Sequence, residues 1–374
     1  MSDTRLTLTA DKTDATAIFK VGSRGLSTGR DAWCYSWGEK ALWENVDTFT
    51  DTYHAARMGF AEWKHSLGDL TGKETDAARF LGEFPSYARR NEIAWSRHLR
   101  SSLVKDATIE HSRERIYRSL YRPFTKQYLY FDATLNDAQY HLASMFPTAT
   151  TSNVGIIVGS NGVLATNAIP DYRVLTKATF YPRYTFEGAE PIDNITDEAL
   201  ALFKSAFGRV TKDDIFNFVY AQLHVGKLEM PEKKRFQDLK KAGQKLITLH
   251  AGFEELEPYP VEITGGGGPV DKLKWGKKTD VDTRKRVNDK TVIVVNKDVT
   301  VRGIPESAQR YVVGTRSVLG WVVDRYRVRT DKASGIVNDL NEAGDARSVA
   351  ELIAKVTRAA VETVEALDYL SQRG

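Results

Sequence analysis

The spacing of hydrophobic and polar residues changes several times along this chain, and each pattern predicts a different element. Alternation with a period of two marks RIYRSLY (115–121) and QYLYF (127–131), which predicts two β-strands. The apolar run VGIIVG (154–159) and the segment RVLTKATFYPRYTF (173–186) extend a strand-rich middle over about residues 115–186. The centre of the chain is therefore expected to be built on β-sheet.

Helical spacing predicts most of the remaining chain. Apolar residues three and four positions apart predict helices over Lys40–Met58, Phe84–Val104, Ile192–His224 and Lys233–His250, and a closing helix over Val349–Leu370. Asp193 and Asn194 are candidates to cap the third of these helices. Two short apolar runs, AIFKV (17–21) and TVIVV (291–295), predict further strands, and the first leads into a Gly/Ser/Thr-rich loop, Gly22 to Arg30.

These elements predict a mixed α+β protein in three parts. A helical N-terminal part with the loop would span residues 1–110, a strand-rich central part with further helices residues 111–262, and an α/β part with a terminal helix residues 263–374. Gly265 to Gly268 predicts a flexible joint at the second boundary. Residues 272–290 hold eight Lys or Arg against three Asp, and a solvated loop is favoured there over a contact with DNA phosphates.

Composition narrows the class of protein. The 374 residues are 41% hydrophobic and carry a net charge of +4, which predicts a soluble globular protein that binds nucleic acid only where its cations cluster. The lone Cys34 excludes an internal disulfide and a cysteine-built zinc site, and it favours a reducing cytoplasm. The polar segment MSDTRLTLTADKTD (1–14) predicts neither a signal peptide nor a membrane anchor.

Motifs for catalysis and cofactor binding are missing from the sequence. No Gly-x-Gly-x-x-Gly follows a strand, the seven histidines are scattered, and GDLTGKE (68–74) is too short for a phosphate loop. We therefore expect no catalytic residue, no bound metal and no cofactor in this chain. A metal-dependent nuclease built on the triplets Glu62-Trp63-Lys64 and Glu232-Lys233-Lys234 is a weaker alternative, because both triplets lie in helical contexts.

The segment Arg115 to Asp132 combines four cations with tyrosines and phenylalanines. Guanidinium groups beside aromatic rings are suited to phosphates and base edges. The same pattern also fits a half-buried strand pair whose arginines extend to the rim, and taken alone the segment favours that interpretation. Both interpretations stay open at this point.

Six short blocks follow one another in order along nearly the whole chain. They are Ser23, Gly25, Thr28, Arg30, Asp31, Ala32 and Trp33 within IFKVGSRGLSTGRDAWCYSW (18–37); Tyr121-Arg122-Pro123-Phe124 with Tyr128 and Tyr130; Ile169-Pro170-Asp171 with FYPRY (180–184); FVY (218–220) with Leu223-His224; Leu249-His250 with Glu257-Pro258; and a block from Gly303 to Asp339 that includes Trp321, Asp331-Lys332 and SGIVND (334–339). In this order they resemble the C-terminal target-recognition, or specificity, region of type ISP restriction–modification enzymes.

The resemblance has departures as well as matches. Leu340 stands where the family has a proline, Tyr172 stands where it has a histidine, and the segment after His224 is shortened. Full-length members join this region to a nuclease, a helicase-like translocase and an adenine methyltransferase, none of which is found in this chain. The resemblance implies a module that reads double-stranded DNA, is non-catalytic by itself, and partners a methyltransferase and translocase.

That interpretation assigns candidate DNA contacts to three places. They are Arg24, Thr28 and Arg30 in the Gly/Ser/Thr-rich loop, Arg118, Arg122 and Lys126 in the aromatic strand pair, and Lys332 and Asn338 near the C-terminal turn. Cations would bind phosphates, and Arg, Lys or Asn would read base edges. Arg122→Ala is then expected to weaken recognition without unfolding the protein. The alternative is a catalytically silent interaction subunit that no longer reads DNA.

Overall fold

The computed structural model describes residues 5–9, 16–66, 70–89 and 93–373. Within them the helices are α1 (Asp31–Cys34), α2 (Glu39–His65), α3 (Glu74–Glu83), α4 (Pro85–Arg89), α5 (Arg97–Val104), α6 (Asp197–Phe207), α7 (Lys212–Val225), α8 (Lys233–Ala251), α9 (Val318–Arg325) and α10 (Ala346–Ser371). The mixed α+β class is confirmed. No helix in the described part of the chain is long and apolar enough to cross a membrane.

The strands are short and form several small sheets. They are β1 (Tyr35–Ser36), β2 (Ile116–Arg122), β3 (Thr125–Tyr130), β4 (Gly155–Gly159), β5 (Gly162–Thr166), β6 (Ile169–Pro170), β7 (Thr179–Pro182), β8 (Tyr184–Glu187), β9 (Glu190–Asp193), β10 (Glu262–Thr264), β11 (Lys274–Thr279), β12 (Arg286–Val294), β13 (Thr300–Arg302), β14 (Val312–Val313), β15 (Arg316–Ser317), β16 (Arg329–Thr330) and β17 (Val337–Asn338). The larger sheets have the orders β1-β3-β2-β6, β5-β4-β7 and β10-β13-β12-β11.

The two alternating segments pair with each other as the hairpin β2–β3, at the centre of the first sheet. The chain turns between them at Pro123 and Phe124, and Phe124 has a φ of 54°. That conformation is uncommon for a residue with a side chain, and burial of the ring against Phe253 and Tyr311 holds it there. The strand pair is therefore part of the core as well as of the candidate site.

Two hydrophobic cores lie beneath these elements. One joins α2, the hairpin β2–β3, α9 and most of α10, so it takes residues from all three predicted parts of the chain. The other packs α6, α7 and α8 against Ile18, Phe19 and the strands β4 and β5. The boundaries at residues 110 and 262 stay a prediction.

The helix predicted over 84–104 is wrong as a single element. It is divided into α4 and α5, and residues 93–96 between them are not helical; residues 90–92 lie outside the described part. Ala94 has a φ of 52°, which an α-helix cannot include. Ser96 then caps α5 by accepting a hydrogen bond from the Leu99 amide at 3.3 Å. The left-handed Ala94 interrupts the helical pattern, and the Ser96 cap begins a new helix.

The helix predicted over 192–224 is also divided, into α6 and α7. Thr196 and Thr211 cap these helices, not Asp193 or Asn194. The amide of Asn194 is used elsewhere, since it donates to the carbonyls of Val21 and Pro182. A long helical period does not reveal such a break when both halves bury their apolar faces in the same core.

Two other expectations need correction. AIFKV (17–21) makes isolated bridges from Ala17 and Phe19 and is not a continuous strand. The basic segment 272–290 is not a loop, because most of it forms the strands β11 and β12. The apolar run 291–295 needs a hydrogen-bonding neighbour on each side, and β11 supplies one of them. The closing helix and the helix predicted over Lys233–His250 are confirmed as α10 and α8.

Candidate functional site

Two clefts lie next to the predicted site residues: Thr28 and Arg30 line the first, and Arg118 and Lys126 line the second. The loop cleft, of about 430 Å³, is lined by Leu26–Trp33, Ala94, Asp171–Arg173, Asp331 and Ala333. The helix cleft, of about 450 Å³, is lined by Trp37, Arg118, Lys126, Tyr128, Glu254, Tyr326, Leu340, Glu342, Ala343, Ser348, Val349, Glu351, Leu352 and Lys355. Three distant loops meet at the first cleft, and the strand pair meets α10 at the second.

Arg122 is buried and paired with a carboxylate. Its Nη1 donates to Oδ1 of Asp171 at 2.6 Å and to the backbone carbonyl of Tyr121, and its guanidinium lies 3.9 Å from the centre of the Tyr121 ring. The two side chains of the ion pair are 8% and 5% exposed. Arg122 therefore neutralises a charge in the interior, which argues against its use as a DNA contact.

Asp171 is the centre of a buried polar network. Besides Arg122, its carboxylate accepts from the hydroxyl of Tyr35 at 3.1 Å and from the amide of Arg173 at 2.7 Å. Burial raises the pKa of the Asp171 carboxyl to about 6, and the positive charge of Arg122 opposes that rise. The network fixes the sheet against the loop that contains Asp171.

The Gly/Ser/Thr-rich loop is held in place by its own polar side chains. Thr28 is buried and donates to Asp31, which also accepts from the hydroxyl of Tyr121 at 3.1 Å. A Cβ at Gly25 would lie 2.5 Å from the carbonyl oxygen of Asp171, so the loop packs directly on that backbone. Asp31 is thus bound by hydroxyl groups, and no ion pair joins it to the neighbouring Arg30 in the described part of the chain.

Arg30 points inward instead. Its guanidinium donates to the carbonyls of Leu135 and Ala94 and to Oγ of Ser96 at 2.9 Å, and it lies 5.5 Å from the centre of the Phe49 ring. Burial lowers the pKa of Arg30. The side chain connects the loop to the start of α5 and to the segment after β3, which is a structural use of a predicted DNA contact.

Three cations on the segments that form the loop cleft, or next to them, face solvent. Arg24 is exposed and lies 5.9 Å from the centre of the ring of Tyr140, itself 46% exposed. Arg173 and Lys332 are exposed as well. None of these three cations forms an ion pair with a described carboxylate. They are therefore free to bind an anion.

Lys126 is buried, and its ammonium group has partners within the chain. Its ammonium donates to Oδ1 of Asn167 at 2.8 Å and to the carbonyl of Ala251 at 2.7 Å, and it lies 3.8 Å from a carboxylate oxygen of Glu254. Burial lowers the pKa of Lys126, while the charge of Glu254 raises it. The lysine thereby connects β3 to the end of α8.

Arg118 is the cation of the strand pair that reaches solvent. Its side chain is 41% exposed, stacks 5.0 Å from the centre of the Tyr128 ring, and donates to Glu254 at 2.9 Å. Asn338 is partly buried and links two elements: its Oδ1 accepts from the amide of Trp37 and its Nδ2 donates to Gln127. Arg118 remains open to a ligand, whereas Asn338 already has partners on both sides of its amide.

The structure thus separates the predicted contacts into two groups. Arg24, Arg118 and Lys332 reach solvent, while Thr28, Arg30, Arg122, Lys126 and Asn338 have intramolecular partners. DNA contact stays a prediction for all eight positions. Sequence reasoning missed Arg173 and Glu254, and it named Asp171 as part of a family block but not as the partner of Arg122, because no local pattern links these residues to the strand pair.

The positions of the two Glu-x-Lys triplets do not support the nuclease alternative. Glu62 lies on α2, and Glu232 immediately precedes α8. Among the residues that the structure describes, no group of three or more His, Cys, Asp or Glu side chains could hold a metal ion.

Comparison with known proteins identifies the family. The sequence matches the type ISP C-terminal specificity domain over residues 17–227 and 230–355. The chain belongs to the type ISP C-terminal specificity domain family, as its ordered blocks indicated. No curated protein matches the chain.

Solved structures of two type ISP enzymes and of a third protein bound to DNA share the fold. A nuclease-deletion mutant of the type ISP restriction–modification enzyme LlaGI, in complex with a DNA substrate mimic, is 25% identical with a TM-score of 0.80. The ATP-dependent type ISP enzyme LlaBIII bound to DNA is 24% identical with a TM-score of 0.79, and a DrdV–DNA complex is 26% identical with a TM-score of 0.80. Each match covers 98% of this chain but only 34%, 24% and 38% of the respective solved chains.

Proposed function

We propose that this chain recognises double-stranded DNA in a sequence-specific manner and acts as the non-catalytic specificity module of a type ISP restriction–modification system. The observation that carries the proposal is the family match, which includes both clefts and most of both cores. In this role the chain would direct a methyltransferase and translocase to a DNA site. The solved relatives are larger chains in complex with DNA, which supports that partnership.

The loop cleft is the better candidate for contact with the DNA backbone. Arg173 lines it, Lys332 lies between the lining residues Asp331 and Ala333, and Arg24 is an exposed cation of the loop that leads into it. These three side chains have no ion partner among the described residues, so their charge is available to phosphates. The helix cleft has equal numbers of opposite charges on its walls. They are Arg118, Lys126 and Lys355 against Glu254, Glu342 and Glu351. Arg118 and Lys126 already pair with the Glu254 carboxylate, and Lys355 donates to the Glu254 carbonyl, so the cations of this cleft are less available to a polyanion.

Duplex binding by the full 374-residue chain tests the proposal. Fluorescence anisotropy with a random-sequence duplex should show binding at 50 mM salt that weakens steeply with added salt, by roughly a thousandfold at 200 mM if six or more phosphates are neutralised. Absence of any duplex binding at 50 mM salt would exclude DNA recognition and favour the silent interaction subunit.

The cations of the loop cleft can be tested by a matched pair of variants. A triple change of Arg24, Arg173 and Lys332 to glutamine should lower the slope of log K against log salt by about 2 to 3. Lys40, Lys297 and Lys105 are exposed cations outside both clefts, and their triple change to glutamine makes the same charge difference as a control. Equal effects of the two triples would show that only net charge matters.

Arg118→Ala is expected to leave stability almost unchanged. The pair with Glu254 is partly exposed, and such pairs contribute about 0–1 kcal/mol. If Arg118 contacts DNA, the variant should bind a selected target duplex less tightly while its thermal midpoint stays within a few degrees of wild type. Unaltered affinity and specificity would remove Arg118 from the DNA contacts.

A further inference from the structure

The basic segment that the sequence predicted as a loop is a two-stranded ribbon with a defined face. In β11 and β12, Lys277 is paired with Asn288 and Thr279 with Arg286. Because side chains alternate along a strand, these four residues share one face of the ribbon. Lys278 and its partner Val287 lie on the opposite face.

The outer part of the ribbon, residues 277–279 paired with 286–288, has solvent on both of its faces. Lys277, Lys278, Thr279, Arg286 and Asn288 are all exposed. A two-stranded ribbon that buries neither face gains little from packing and is marginally stable by itself. No other element in the described part of the chain covers the faces of the outer ribbon, so its side chains remain exposed.

The end of the ribbon is nonetheless well defined. The Asp280 carboxylate accepts from the amide and the hydroxyl of Thr283, each at 2.7 Å, and the Asp280 amide donates to the carbonyl of Lys285 at 2.9 Å. Val281 at this turn is 78% exposed. A hydrogen-bonded turn keeps the two strands in register, so the positions of the side chains on the shared face are fixed relative to one another.

The charge of the ribbon is largely uncompensated. Residues 272–290 carry eight cations against three aspartates. Among the described residues, the ion pair that these cations form is Lys278 with Asp289, at 4.0 Å. Asp280 and Asp289 also accept hydrogen bonds from neighbouring threonines. An open ribbon with a local charge of +5 is suited to a polyanion rather than to an apolar protein surface.

We propose that the face formed by Lys277, Thr279, Arg286 and Asn288 enters the major groove of duplex DNA. This inference rests on the proposed function and adds the element that reads the sequence. The major groove, about 12 Å wide, admits a two-stranded β-ribbon. Arg and Lys match the acceptors of guanine, and Asn matches the edge of adenine. The exposed hydrogen bond from Lys277 to Asn288, 2.6 Å long, would exchange for contacts with base edges.

The double variant K277A/R286A tests the ribbon. A target duplex is first selected from a randomised pool with the wild-type chain, and affinity is then measured against salt. The double variant should bind the selected duplex at least tenfold more weakly, through lost base or phosphate contacts. The control K40A/K297A removes the same charge from exposed side chains outside the ribbon and should bind within about twofold of wild type.

The face and the groove are tested separately. Arg286→Ala should reduce discrimination between the selected and the random duplex, whereas Lys278→Ala on the opposite face should not. Replacing every purine of the selected duplex by its 7-deaza analogue removes the N7 acceptors of the major groove. Wild type should lose affinity for that duplex, and K277A/R286A should lose less.

The outcomes distinguish this inference from the proposed function. If wild type binds duplex DNA and K277A/R286A binds it equally well with the same specificity, the ribbon does not read DNA and is left for a protein partner, while the proposed function stands. If wild type binds no duplex at low salt, the proposed function fails, and this inference fails with it. Thermal melts of each variant confirm that a loss of binding is not a loss of fold.

Discussion

Arg122→Ala is expected to destabilise the folded chain by about 3–5 kcal/mol near pH 8, because it leaves Asp171 as a buried, unpaired carboxylate. This expectation replaces the one drawn from the sequence, in which Arg122 met DNA and could be removed without unfolding the protein. Urea denaturation at pH 8, followed by tryptophan fluorescence, measures the loss. Arg118→Ala, on the same strand but partly exposed, is the matched control.

The loss of stability in Arg122→Ala should depend on pH, because the Asp171 carboxyl group titrates. Burial raises the pKa of Asp171 to about 6 even with Arg122 present, and removal of Arg122 should raise it further. When the pKa of a carboxyl group is higher in the folded than in the unfolded state, the folded protein loses stability as the pH rises from the unfolded-state pKa to the folded-state pKa. The variant should therefore be closer to wild type at pH 5 than at pH 8.

One other result would support the prediction from sequence that Arg122 contacts DNA. If Arg122→Ala melts like wild type at both pH values but binds DNA poorly, the buried pair contributes little to stability and Arg122 acts as a DNA contact. Asp171→Asn gives a second measurement, because it removes the same ion pair from the other side and leaves the arginine in place. Both variants should lower stability if the pair is structural.

Arg30→Ala is expected to lower stability by about 3 kcal/mol, since it leaves the carbonyls of Leu135 and Ala94 without their charged donor. The loss should also loosen the loop, because Arg30 connects it to Ser96 at the start of α5. Hydrogen exchange of the amides in residues 22–30 should increase in the variant. Chemical denaturation gives the change in the free energy of unfolding.

Arg24→Ala provides the comparison within the same loop. Arg24 is exposed, so its removal should change stability by less than about 1 kcal/mol and act on DNA binding instead. The reverse pattern, with Arg30→Ala stable and deficient in binding, would contradict the structural assignment of Arg30. The two variants thus separate an arginine that holds the Gly/Ser/Thr-rich loop in place from one that is exposed to solvent.

These assignments change what the family blocks mean. Thr28, Arg30, Arg122 and Lys126 match or adjoin the blocks, yet each has partners within the chain. Their place in the pattern is explained by the need to build and connect the clefts. The side chains that reach solvent, Arg24 in the same loop and the separate ribbon face, are the better candidates for contact with DNA.

Several elements could be predicted from the sequence because their cause is local. The alternation of QYLYF predicted β3, and the apolar spacing after residue 346 predicted α10. The ordered blocks predicted the family. The breaks near Ala94 and Gly208 could not be predicted, because a left-handed residue and a threonine cap override a continuous helical period. The pairing of β11 with β12 was missed because the many charged residues of 272–290 favour a solvated loop in a prediction from sequence.

The sequence by itself determined the mixed fold class, the main helices, the aromatic strand pair and the family, since each depends on the type and spacing of neighbouring residues. Only the tertiary structure decided which cations are free. Arg122 meets Asp171, 49 positions away in the chain, and Lys126 meets the carbonyl of Ala251, 125 positions away. The exposure of a charged side chain depends on which distant groups the fold brings to it, and local spacing carries no record of those partners.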